Sequence, residues 1–333
     1  MDKKRMASLT ALTVMLILIL GNVAMAHAQS SSDSTGTINV TAECTISSPG
    51  LCLNDGTDNL NKTQLTVTTE YRVNFTLSDK DGMDDIQNAY VKMWKTAAST
   101  ESGTDDENNH YTFWWNATHG AWACLGPSSG FYKSGEGSNS SSYTQYDFYV
   151  NFDLSKVANY SNTGPTYTGW KITINATDGT HSDTQTQCLG FGVAEYTECT
   201  GLNPAHSWSG LTAGSNDQPL SSPGTSLSFT AIANRVWNAT AKSNVTAALE
   251  HTYSYTLGIG NVTQNSVDNA TSSTSLSTSE VIIGKDGASP LDAKEIPASE
   301  SGTACNCYLW VDIPAGQQPG AYVYKLTITV QKD

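Results

Sequence analysis

Charge is scarce in this chain, and positive charge is scarcer still. Asp, Glu, Lys and Arg make up 14% of the 333 residues, with 17 Lys and Arg against 31 Asp and Glu. A formal net charge of −14 with no basic cluster past the first five residues argues against nucleic acid and against anionic membrane surfaces as partners. The catalytic signatures are missing as well. There is no HExxH, GxSxG, GxGxxG, phosphate loop or CxxCH, and the histidines His110, His119, His181, His206 and His251 are scattered, mostly among polar turn residues. Without a CxxC or a His at ligand spacing, the cysteines do not read as a zinc site. Carboxylate pairs of a glycosidase need meet only in space, so sequence leaves them open. The reading is nevertheless non-enzymatic. No stretch past the N-terminus shows helical periodicity, and no second apolar run reaches transmembrane length, which argues against a C-terminal membrane anchor.

The N-terminus reads as an export signal. Lys3, Lys4 and Arg5 precede an apolar run from Leu9 to Leu20, and Ala26-His27-Ala28 is a small-X-small cleavage site. Cleavage there leaves 305 residues starting at Gln29. Loss of Asp2, Lys3, Lys4 and Arg5 leaves 14 basic and 30 acidic residues and a formal charge of −16. The competing reading is an uncleaved anchor, since Met6 to Ala28 is just long enough to span a bilayer.

Eleven Asn-X-Ser/Thr sequons follow, at Asn39, Asn61, Asn74, Asn116, Asn139, Asn159, Asn175, Asn238, Asn244, Asn261 and Asn269. The strand-like Tyr71–Leu77 places Tyr71, Val73, Phe75 and Leu77 on one face and Asn74 on the other. Asn175 opposes Trp170, Ile172, Ile174 and Ala176 in the same way, and Asn238 lies between Trp237 and Ala239. A chain rich in Ser, Thr and Asn also makes sequons by accident, yet their positions favour a heavily glycosylated extracellular protein. In an oxidising compartment the seven cysteines, Cys44, Cys52, Cys124, Cys188, Cys199, Cys305 and Cys307, would mostly pair. Cys44 and Cys52 flank Ser-Pro-Gly and read as a local loop clip. Cys124, Cys188 and Cys199 could supply one bridge, and Cys305-Asn306-Cys307 either closes on itself or pairs elsewhere. The odd count leaves one thiol over.

Period-two alternation predicts many strands. A short one covers Gly36–Ala42 behind a Ser-rich leader. Strong ones cover Gln64–Ser78, Ile86–Lys95, Tyr111–Trp115, Tyr143–Leu154, Tyr167–Thr177 and Cys188–Tyr196. A second series covers Ser226–Ala233, Val236–Lys242, Leu249–Ile259, Glu280–Ile283, Cys307–Ile313 and Ala321–Gln331. Polar loops are expected at 97–109 and 126–142. The reading is all-β, with two tandem β-sandwiches. The expected organisation is a signal at 1–28, a leader with a strand and a disulfide loop at 29–60, a first sandwich at 61–200 and a second at 201–333.

Tyr71-Arg72-Val73-Asn74-Phe75-Thr76-Leu77-Ser78-Asp79-Lys80-Asp81-Gly82-Met83-Asp84-Asp85-Ile86, followed by Val91-Lys92-Met93-Trp94, resembles the opening of immunoglobulin-like repeats in archaeal secreted surface proteins. Trp170–Gly179 resembles their closing hairpin, and Trp310–Tyr322 resembles a turn of another sandwich type in such proteins. The resemblance implies an immunoglobulin-like fold and an extracellular cell-surface location, and specifies an activity only weakly.

Two groups could carry chemistry. Asp79, Asp81, Asp84 and Asp85 converge on a short turn that could hold calcium, although the run is too short for an EF-hand and equally suits a plain hairpin turn. Phe113, Trp114, Trp115 and Trp122 crowd beside His110 and His119. They suit either a sugar-stacking platform or a hairpin that buries alternate rings, and adjacent Trp114 and Trp115 must face opposite ways. No other cofactor is expected. The favoured function is a structural or adhesive surface glycoprotein whose partners are other surface proteins or itself. The alternatives are a carbohydrate-binding or glycan-active protein, and a filament subunit assembled by strand exchange through Gly36–Ala42.

Overall fold

The structure, a computed structural model, describes residues 44–80, 86–126, 129–142, 144–161, 169–250, 252–283 and 296–333. The leader, the Gly36–Ala42 strand, Asn39, Asp81, Asp84, Asp85 and His251 lie outside these residues, as does the side chain of Asn139. The described chain is all-β, with three short 3-10 turns and no α-helix. None of its helices is long and apolar enough to cross a membrane.

The first half contains β1 (Thr45–Leu53), β2 (Gln64–Leu65), β3 (Tyr71–Ser78), β4 (Asn88–Lys95), β5 (His110–Asn116), β6 (Ala121–Gly126), β7 (Tyr132–Ser142), β8 (Gln145–Phe152), β9 (Trp170–Thr177) and β10 (Ser182–Val193). They form a four-stranded sheet, β1-β3-β8-β7, and a six-stranded sheet, β2-β10-β9-β4-β5-β6, with β2 parallel to β10. One core lies between them. β3 is the clearest case of pattern dictating structure: Tyr71, Val73, Phe75 and Leu77 are buried while Asn74 is exposed. Phe75 stacks on Phe148 at 5.3 Å, and the Trp122 ring meets both edge-on.

The second half contains β11 (Thr197–Thr200), β12 (Gln218–Pro219), β13 (Ser226–Ala233), β14 (Trp237–Ser243), β15 (Ala247–Glu250), β16 (Thr256–Gly258), β17 (Val262–Asn265), β18 (Thr274–Ser275), β19 (Val281–Ile282), β20 (Thr303–Val311), β21 (Tyr322–Val323) and β22 (Leu326–Lys332). The sheets are β11-β13-β20-β17-β18 with β12 on β20, then β19-β14-β22 and β16-β15-β21. A separate core gathers Leu227, Phe229, Trp237, Leu309, Ile328 and Val330.

Several expectations change. Leu249–Ile259 is not one strand but falls on two antiparallel strands, β15 and β16. The Cys44–Cys52 segment is not a clipped loop. It is strand β1, an edge strand whose Ser-Pro-Gly forms a bulge: the register with β3 shifts between Ser47 and Gly50, and Ser48 has φ 51°. Proline is tolerated there because an edge strand can forgo one ladder bond. Ile46 and Leu51 then join the first core, so that core starts before residue 61. The polar stretch expected to loop over 126–142 contains β7. Its glycines allow close approach: a Cβ at Gly135 would sit 2.8 Å from the Tyr149 carbonyl, and one at Gly137 would sit 2.5 Å from the Phe148 ring. Gln64–Ser78 is not one strand. Thr68, at φ 64°, turns the chain out of the six-stranded sheet at β2 and into the four-stranded sheet at β3.

The two halves meet through a polar seam. Asn234 is fully buried. Its amide nitrogen donates to the Ala194 carbonyl (2.7 Å), its Oδ1 accepts from Tyr196 N–H (2.9 Å), and its carbonyl accepts from Tyr160 N–H (2.9 Å). Glu107 Oε2 accepts from Glu300 N–H at 2.9 Å, and Asn108 Nδ2 donates to the Pro297 carbonyl at 3.0 Å.

Candidate functional site

Alternation along β5 separates the aromatic cluster. Phe113 and Trp122 are buried and Trp115 packs edge-on against Phe148 at 5.1 Å, so these rings are core. Trp114 faces outward from the six-stranded sheet. Cross-strand pairing sets it beside Tyr90 of β4, with the rings nearly parallel and their centroids 6.5 Å apart. Its indole N–H donates to Asn88 Oδ1 at 2.8 Å, and the same oxygen accepts from Asn116 Nδ2 at 2.9 Å. A half-exposed aromatic pair edged by amides is therefore the platform this face offers. Sequence supplied Trp114. Tyr90 and Asn88 were missed because strand register alone brings them there.

The sequons share one property. Asn74, Asn244 and Asn269 are exposed, and Asn61, Asn116, Asn159, Asn175, Asn238 and Asn261 are half-buried, so none of these nine is buried. The buried asparagines Asn151, Asn234 and Asn265 all lie outside sequons. The amide nitrogens differ in commitment. Asn175 Nδ2 donates to both the Asp183 carbonyl and Thr184 Oγ1. Asn238 Nδ2 donates to Asp333.

The histidines are not all solvated. His110 is buried, with Nδ1 2.6 Å from Asp105 Oδ1 and Nε2 3.3 Å from the Glu101 carbonyl. Thr112 Oγ1 donates to the same Asp105 oxygen. Both ring nitrogens lie beside oxygen partners, so this pair braces the loop before β5. His181 packs beside Asp178, whose carboxylate burial would push upward but which backbone and hydroxyl donors from His181 and Thr180 hold below the usual carboxylate range. His119 is exposed.

Of the acidic turn, Asp79 is described and buried, and no cluster of ligating side chains able to hold a metal occurs among the described residues. Asp81, Asp84 and Asp85 lie outside them.

All seven cysteines are described, and all are free thiols. Cys44 and Cys52 sit at opposite ends of extended β1, roughly 20 Å apart, where a bridge needs Cα atoms within about 7 Å. Cys124 on β6 and Cys188 on β10 are separated by β5, β4 and β9, about 19 Å across the sheet. Cys199 on β11 packs on the other core, and β13 lies between it and Cys305. Cys305 and Cys307 both point inward from β20 and fill that core instead of bridging. Burial pushes Cys44 and Cys305 up to about 11 and Cys307 up to about 12, which starves them of thiolate. Ellman's reagent at pH 8 should therefore leave these three unlabelled in the native protein and titrate seven thiols in denaturant without reductant. A count below seven would show that bridges form.

A cavity of about 780 Å³ opens in the second half between the segment 206–213 and β21. Part of its lining is aromatic: Trp208 stacks on Tyr324, and His206 Nε2 lies 3.0 Å from the Tyr324 hydroxyl. Burial holds the His206 pKa below its usual 6.5. The unfolded chain therefore binds a proton first as pH falls. The stability contributed by neutral His206 is complete above about pH 6.5 and is lost as pH drops through the lower folded value. Urea unfolding followed by Trp fluorescence should show the second half weakening between pH 7.5 and 5, and His206→Phe should flatten that dependence.

No protein-family model matches the chain, and no curated protein matches it.

Proposed function

We propose that this protein is an exported, N-glycosylated cell-surface protein with a structural or adhesive role and no catalysis. The observation that carries the reading is the partition of asparagines: among the described residues the nine sequon asparagines are exposed or half-buried, and the buried asparagines fall outside sequons. An attached oligosaccharide is large and strongly hydrated, so only a side chain open to water can bear one. Two β-sheet cores pinned by a buried hydrogen-bonded seam suit a load-bearing or spacing part.

A membrane-impermeant amine label applied to intact producing cells tests it. The protein should be labelled without lysis, and the labelled band should react with periodate, which marks sugar. Labelling only after lysis, or a periodate-silent band, overturns the proposal.

A further inference from the structure

We propose that Asn116 is a glycosylation site whose first sugar ring packs on its own protein, against the Trp114–Tyr90 pair. This rests on the glycoprotein reading above and adds a particular site and contact to it. Strand geometry makes the case. Trp114 and Asn116 are two residues apart on β5, so their side chains leave the same face of the sheet about 7 Å apart. Asn116 ends the strand, and the turn that follows is fixed: Gly120 N–H donates to the Asn116 carbonyl at 2.9 Å, with Gly120 at φ 60°. Asn116 Oδ1 accepts from Thr118 N–H at 2.9 Å, which holds the sequon's third residue beside the amide.

The asparagine amide is aimed as well. One Nδ2 hydrogen is committed to Asn88 Oδ1, the oxygen that also holds the Trp114 indole N–H. Attachment forms a bond from Nδ2 to the anomeric carbon of a polyprenyl-phosphate-linked oligosaccharide. It breaks that carbon's bond to the phosphate oxygen, and one Nδ2 proton passes to the departing phosphate. One N–H remains, so the Asn88 contact survives the modification and fixes the amide plane. The sugar then starts next to the Trp114 ring. The electron-rich ring face attracts the weakly positive C–H face of a pyranose, and Tyr90 extends the surface across the sheet. Among the eleven sequons only Asn116 has an aromatic residue two positions earlier; Asn74 has Arg72 there and Asn175 has Thr173. Space is open on the turn side, since a Cβ at Gly120 would meet nothing within 4 Å.

The test uses full-length protein from the glycosylating host. Site-resolved glycopeptide mass spectrometry reads each sequon, and thermal unfolding reads the coupling. Thr118→Ala abolishes the sequon and leaves Asn116, Asn88 and Trp114 in place. It should lower Tm by about 2–4 °C when Trp114 is present and leave Tm almost unchanged in a Trp114→Ala background. Trp114→Phe, which keeps a ring but loses the indole N–H, should retain most of the coupling, and it separates stacking from the Asn88 hydrogen bond. If Asn116 is bare while other sequons carry sugar, this inference fails and the glycoprotein reading stands. If every sequon is bare, both fail. Equal Tm losses with and without Trp114 would overturn the packing.

Discussion

Replacing Trp170 with Ala should lower the stability of the first half by about 3–5 kcal/mol, the range for deleting a large buried ring. Trp170 is fully buried at the start of β9, between β4 and β10. Its ring stacks on Phe191 at 5.8 Å and leans on Tyr111 at 5.6 Å, and its indole N–H donates to the Asn159 carbonyl at 3.0 Å. Alanine removes all of these contacts at once, and paired strands on both sides leave little room for collapse. Because the two halves unfold together, their shared midpoint should fall by about 2 °C for each kcal/mol lost. Trp114→Ala in protein without glycans makes the contrast, because that ring lies on the outer face and its loss should cost far less. Equal losses at the two positions would contradict the assignment of inner and outer rings.

Asn234→Leu should uncouple the halves. Leucine matches asparagine in size but leaves the Tyr196 N–H and the Ala194 carbonyl without the side-chain partners they have now. Each polar group stranded in the seam costs about 1–3 kcal/mol, whereas a hydrogen bond lost at an exposed site costs less. Asn234's own backbone bonds to Tyr196 and Tyr160 remain, so the chain should still fold. Wild-type protein is expected to unfold as one unit. The variant should show two separated transitions by calorimetry, because the seam contacts that remain, of Glu107, Asn108, Lys156 and Arg235, lie at partly exposed sites and contribute less than the buried Asn234 bonds. A single transition at the original temperature would show that the seam does not link them.

Sequence reasoning found the strands whose two faces differ. β3 alternates cleanly because one face meets a core and the other meets water; β8, β9 and β13 keep the apolar period but also bury Asn151, Thr173 and Ile232 on the opposite face. It missed β6 and β17, and also β1 and β7, whose residues look like turns. Ser-Pro-Gly in β1 is a bulge on an edge, and Gly135 and Gly137 let β7 run tight over Trp122 and Phe148. The bulge depends on pairing with β3, and the tight run of β7 on its hairpin with β8; neither leaves an apolar alternation for local pattern to find. The cysteines misled for a related reason. Their spacing invited a loop clip, while their strand positions make them core-filling thiols. The outward Trp114 was legible from its adjacency to Trp115, but Tyr90, Asn88 and the cavity beside Trp208 exist only through register and packing.

The central claim is that this chain is exported and carries sugar at surface sequons. Intact mass spectrometry of protein from its producing cells, before and after chemical deglycosylation, tests it most directly. The account predicts a heterogeneous native mass that collapses on deglycosylation to a single species beginning at or near Gln29. One sharp mass equal to the unmodified 333-residue chain, unchanged by deglycosylation, would contradict it.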